Sequence, residues 1–175
     1  MNWIFSIVSF IVMQTKILYD FNKKSPQNDW EIINDGVMGG ISRGTYYIDE
    51  EGFGVFKGVV STENNGGFSS VRYDCKNIKT TKESSIILYL KGDKKVYQVR
   101  IKDKKNNYYS YITHFNTTGS WETIEIKLAD LYPSFRGTKL NLPNYNSNTI
   151  EELAFLIGNK KNESFTLMLN KIELK

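Results

Sequence analysis

From Lys16 onward the apolar residues recur in short alternating runs, and no segment repeats them at the 3.6-residue period of a long amphipathic helix. "SWETIEIKL" (120–128) shows the pattern most cleanly, with Ile124, Ile126 and Leu128 on one face and Thr123, Glu125 and Lys127 on the other. Similar runs stand at 16–21, 40–49, 53–61, 68–73, 84–92, 95–102, 107–115, 149–159 and after Glu163, where Phe165, Leu167 and Leu169 alternate. "WEIIND" from Trp30 is a further strand-like stretch. Turn signals separate them, such as "ENNGG" (63–67), whose Asn-Gly and Gly-Gly steps tolerate φ > 0. Eleven Tyr and ten Phe suit a pleated sheet. The expected class is all-β, a sandwich or barrel, within one domain over 16–175. The runs at 84–92, 95–102 and 107–115 read as a meander of antiparallel hairpins, and 129–146 as an irregular connection with a single helical turn.

Residues 1–15 stand apart. Trp3 to Met13 is an uncharged apolar run of eleven residues, too short to span a bilayer. No Lys or Arg precedes it and no small-x-small cleavage site follows. It reads as an apolar leader or a misassigned start, with translation beginning at Met13. A cytoplasmic protein is the expectation; export or membrane association is the alternative if the run is a signal.

The net charge is +4, yet the lysines are scattered. The densest region, 91–107, holds Asp93 and Asp103 among its lysines and reads as solvated strand ends and turns, which argues against a nucleic-acid partner. Lysine outnumbers arginine nineteen to four, and only arginine offers a planar fork of donors. Arg43, Arg72, Arg100 and Arg136 are therefore the cations of interest. With a single cysteine, Cys75, and a single histidine, His114, no internal disulfide or Cys/His zinc site is expected.

The glycine-rich stretch "NDGVMGGIS" (34–42) invites a phosphate-loop interpretation. It lacks the required glycine order, and strand-like text follows it, so no helix N-terminus is offered to an anion. Asp35 has no companion acids at calcium-loop spacing. A second glycine pair, Gly66 and Gly67, feeds "FSSVR" in the same way. Strand alternation puts Phe68, Ser70 and Arg72 on one face and Ser69, Val71 and Tyr73 on the other. If the two glycine-fed strands are neighbours, Asp35 and Arg72 pair near one edge of the sandwich. The architectural interpretation assigns the glycines to φ > 0 and close strand approach, with an Asp–Arg bridge tying the loop.

"WEIINDGVMGGISRG" followed by "FKGVVSTENNGGFSSVR" resembles the complex I intermediate-associated protein 30 family. Trp30, Asn34 to Gly40, Ser42, Phe56, Gly58, Gly66 to Phe68, Ser70 and Arg72 fit the family pattern, and "GSWETIEIKLADLYPSFRG" looks like its Trp-containing strand and Phe-Arg-Gly segment. The resemblance spans roughly residues 17 to 174. It implies a jelly-roll β-sandwich of the galactose-binding-like type, without a cofactor and without catalysis. It also implies a module that binds protein partners, as family members do with intermediates of respiratory complex I. The binding residues expected are a loop rim of Asn34, Asp35, Met38, Gly39, Gly40, Ser42, Gly66, Gly67, Phe68, Ser70 and Arg72. The alternative is a carbohydrate- or small-ligand-binding module using Trp30, Tyr109, Tyr111, Trp121 and Arg100. An enzyme is disfavoured. Glu122 and Glu125 fall on opposite faces of a strand and Glu151 and Glu152 are adjacent, so neither pair brackets a cleft.

Overall fold

Each alternating run can hide one side of its pleat, so pairs of sheets packed face to face satisfy all of them at once. The computed structural model describes residues 15–175. The apolar run at 3–13 lies outside the described residues. Thirteen strands occur within them: β1 (Lys16–Asp20), β2 (Trp30–Asn34), β3 (Arg43–Ile48), β4 (Gly54–Val60), β5 (Ser69–Lys79), β6 (Ser85–Lys91), β7 (Val96–Lys102), β8 (Ser110–Asn116), β9 (Trp121–Lys127), β10 (Tyr132–Phe135), β11 (Thr138–Lys139), β12 (Thr149–Ile157) and β13 (Glu163–Leu174). Sheet A runs β3-β4-β13-β6-β9, with β1 beside β13; sheet B runs β11-β10-β8-β7-β12-β5-β2. The two antiparallel sheets form the expected jelly-roll sandwich. Among the described residues no helix is long and apolar enough to cross a membrane.

The meander expected from 84 to 115 does not form. β6 pairs with β13 and β9 in sheet A, whereas β7 pairs with β8 and β12 in sheet B. The run Ile86-Ile87-Leu88 leaves β6 no polar face, so it takes a central place in its sheet. Asp93 anchors the crossing between sheets. Its carboxylate accepts from Lys95 Nζ at 2.6 Å, Tyr97 OH at 2.8 Å and the Thr166 amide of β13 at 2.9 Å. Segment 129–146 does hold one helical turn, Leu128–Asp130 at its start, but it also contributes the short hairpin β10–β11.

The core lies between the sheets and is strongly aromatic. Trp30 is 3 % exposed, stacks on Tyr73 and Phe155 at 5.2 and 6.0 Å, and meets the edge of Tyr19 at 5.5 Å. Phe56 and Phe165 close the other side of the core, 4.7 Å apart. This interior fixes which face of sheet B turns outward, and so positions the candidate site.

Candidate functional site

At one edge of the sandwich the two glycine-rich segments meet over a single side chain. Asp35 is wholly buried. Its Oδ1 accepts the Ser42 amide at 3.0 Å. Its Oδ2 accepts the Ser42 hydroxyl at 2.5 Å and the amides of Gly67 and Phe68 at 2.6 and 3.3 Å. Asn34 acts beside it: its Oδ1 accepts the Gly44 amide at 3.0 Å and the Ser69 hydroxyl at 2.7 Å. Consecutive residues at the end of β2 thus lace β3 of sheet A to β5 of sheet B. Burial alone would raise the Asp35 carboxyl. The Ser42 hydroxyl and the amides of Gly67, Phe68 and Ser42 outweigh it and hold the group below its ordinary value of 3.8.

Two of the glycines exist to make room for that carboxylate. A Cβ on Gly40 would strike the Asp35 side chain, and one on Gly66 would sit 2.5 Å from Asp35 Oδ2 and 2.9 Å from Gly40 Cα. Gly39 has φ +87° and closes the 3-10 turn Asp35–Met38. Gly36, by contrast, faces open space. Gly40→Ala is therefore expected to cost about 1–3 kcal/mol, and Gly36→Ala to stay within about 0.5 kcal/mol. Urea unfolding of the two variants checks the difference; equal midpoints would show that the carboxylate is not packed as described.

Asp35 and Arg72 do not pair. β3 and β5 belong to different sheets, and the donors recorded at the Asp35 carboxylate are Ser42 and the 67–68 backbone. Arg72 lies farther along β5, opposite Glu31 of β2. The structure brings together Asn34, Asp35, Gly40, Ser42, Gly66, Gly67 and Phe68, while Ser70 and Arg72 stand on the outer face of sheet B. The side chain of Met38 lies outside the described residues.

That outer face follows from β5, whose Ser69, Val71 and Tyr73 turn inward, leaving Ser70 and Arg72 outward. Register then sets two rows across the sheet. One is Glu31, Arg72, Ala154, Arg100, Ile112 and Tyr132; the other is Ile33, Ser70, Leu156, Gln98 and His114. Ala154 separates the two arginine-bearing strands by a single methyl group. Arg100 Nη1 donates to Gln98 Oε1 at 2.9 Å, and Gln98 Nε2 lies 3.1 Å from His114 Nε2. Burial, with the Arg72 charge second, pulls the Arg100 guanidinium down to about 10, and Glu152 only partly offsets this. The Ser70 hydroxyl is buried and has no hydrogen-bond partner among the described residues. Among the described residues all six ion pairs use lysine; Glu31 stands opposite Arg72 without a direct ion pair, and Glu152 acts on Arg100 through its charge. An open cleft of about 450 Å³ at the β2–β5 end is lined by Glu31, Arg72, Asp74, Lys102, Lys105 and Glu152.

Of the aromatic residues expected as ligand platforms, Trp30 and Tyr111 belong to the core. Tyr109 is half-buried between Tyr108 and Tyr111, and Trp121 lies in sheet A against Phe53 at 4.6 Å. Only Arg100 of that set reaches the outer face of sheet B. Cys75 is buried, its thiol pushed up to about 12 chiefly by burial, and is chemically quiet. Gln98, His114, Ala154 and Leu156 were not expected from sequence. Alternation within "YQVRIK" does put Gln98 and Arg100 on one face, but the strands beside them cannot be read from spacing.

The fold is similar to that of a family 11 carbohydrate-binding module from Clostridium thermocellum, solved in complex with a β-1,3-1,4-mixed-linked tetrasaccharide. That likeness has a TM-score of 0.67 at 17 % identity and covers 91 % of this chain and 94 % of that one. The family 11 module of the C. thermocellum cellulase Lic26A-Cel5E matches equally, at 0.67 and 15 % identity, over 91 % and 94 %. The agarase AgWH50C matches at 0.63 and 13 % identity over 92 % of this chain but 24 % of its own. At such identities these likenesses concern the fold. A search of the curated proteins returns no match. The sequence pattern of complex I intermediate-associated protein 30 matches over residues 19–169. The chain belongs to the complex I intermediate-associated protein 30 family.

Proposed function

We propose that this chain is a non-catalytic binding module that holds a protein partner across the outer face of sheet B and the adjoining rim, in the manner of an assembly factor for a respiratory complex. The observation that carries this is the state of the outer face. It bears two arginines in one cross-strand row, neither in a direct ion pair among the described residues, and burial lowers the guanidinium of one of them, Arg100. Such groups are costly to keep in an isolated domain and become favourable once a ligand completes them. Family membership supports a protein as that ligand. Within the rim, Asn34, Asp35, Gly39, Gly40, Ser42, Gly66, Gly67, Phe68 and the buried Ser70 shape the wall, while Arg72 meets the partner.

Affinity purification from the source cells with quantitative mass spectrometry tests the proposal. The wild type and Lys57→Gln, altered on the outer face of sheet A, should recover the same partner. The double variant Arg72→Gln/Arg100→Gln should recover at least tenfold less while melting as a folded protein. Equal recovery by all three would remove the outer face of sheet B from the interface.

The fold likeness to carbohydrate-binding modules favours a second function, glycan binding. A thermal-shift titration with mixed-linkage β-glucan oligosaccharides separates the two. A saturating rise in melting temperature supports the glycan. An unchanged melt leaves the protein partner.

A further inference from the structure

We infer that the outer face of sheet B recognises carboxylates on an acidic segment of its partner protein, gripped between Arg72 and Arg100. This rests on the proposed binding face and adds the chemistry of what it binds. The chain has four arginines, and two of them fall in one cross-strand row with only Ala154 between them. A guanidinium presents five donors in a rigid fork that matches a carboxylate in two parallel bonds. Gln98 takes one Nη1 proton of Arg100 and, itself in contact with His114, holds the fork in place while its remaining donors stay available. An incoming carboxylate would pair with both guanidiniums and relieve the repulsion that Arg72 exerts on Arg100.

The surroundings narrow the ligand class. Asp29, Glu31, Asp74 and Glu152 border the cleft beside Arg72. They repel the fixed, dense charge of a polyphosphate backbone, whereas side-chain carboxylates of a peptide can turn away from them toward the arginines. Stacking a sugar ring needs a free aromatic face, and the one tyrosine in these rows, Tyr132, has Lys139 Nζ over its ring at 5.2 Å. An acidic peptide is therefore favoured over a uronate glycan.

The test is a titration of the isotope-labelled wild-type chain with hexaglutamate, following the arginine Nε–Hε resonances, with hexagalacturonate in a parallel arm. The Arg72 and Arg100 signals should move together and saturate, while those of Arg43 and Arg136 stay in place. In fluorescence anisotropy with labelled hexaglutamate, Arg72→Gln and Arg100→Gln should each weaken binding at least tenfold, with Lys57→Gln unchanged. Arginine signals that stay still, or shifts spread over all four, would overturn the inference, and neither result depends on a variant folding. Tenfold tighter binding of hexagalacturonate would overturn it in favour of a uronate site. If a partner is captured through this face while hexaglutamate moves neither signal, the binding face survives and the acidic-segment assignment falls.

Discussion

Replacing Asp35 with alanine is expected to lower the stability of the domain by about 3–5 kcal/mol, because it strips a buried hydrogen-bond hub of its acceptor. Four donors converge on that carboxylate: the Ser42 amide, the Ser42 hydroxyl and the amides of Gly67 and Phe68. With the acceptor gone, these donors lose their shared partner, and those of Ser42 are left buried. At about 2–4 °C per kcal/mol for a chain of this size, the melting temperature should fall by roughly 6–20 °C. Asp35→Asn separates charge from shape. In the wild type the Asp35 pKa lies below 3.8 when folded, so the unfolded state binds the proton more readily. The stability it contributes is fully present above that pH and disappears as pH falls through the folded value. Denaturant midpoints of wild type and Asp35→Asn should thus differ most above about pH 4 and converge on further acidification. A constant gap down to strongly acid pH would show that Asp35 is not held as the anion.

Trp30→Ala should cost a comparable amount, about 3–5 kcal/mol. The ring is 3 % exposed and is enclosed by Tyr19, Phe21, Tyr46, Tyr73 and Phe155. Its Nε1 proton has no acceptor among the described residues. Trp30→Phe removes that unpartnered group along with some volume and should lose much less, about 1.5 kcal/mol or under. Calorimetric melting of both variants decides the matter. A ligand platform would behave differently, with Trp30→Ala melting like the wild type.

The strands were legible because alternation survives in the residues that form them. "WETIEIK" and "FTLML" each show one buried side in the sequence and in the sandwich. Sheet order was not, since β6 and β7 follow one another through an ordinary charged turn yet part into different sheets at Asp93. Likewise β10–β11 escaped notice because its turn places Arg136 at φ +48° beside Gly137 at +79°, a left-handed arginine that composition does not announce. The paired glycine blocks marked where the candidate site begins. Their purpose could not be read, because Asp35 meets Gly67 and Phe68 across 32 and 33 residues of sequence. The arginine row needed the register of six strands, which only the folded chain supplies.

Site-specific photocrosslinking tests the central claim most directly. A benzoylphenylalanine at Tyr132, in the arginine row on the outer face of sheet B, should crosslink the protein partner recovered by affinity purification. The same group at Thr45, on the outer face of sheet A, should not. Crosslinks from Thr45 with silence from Tyr132 would place the interface on the other sheet and contradict the account.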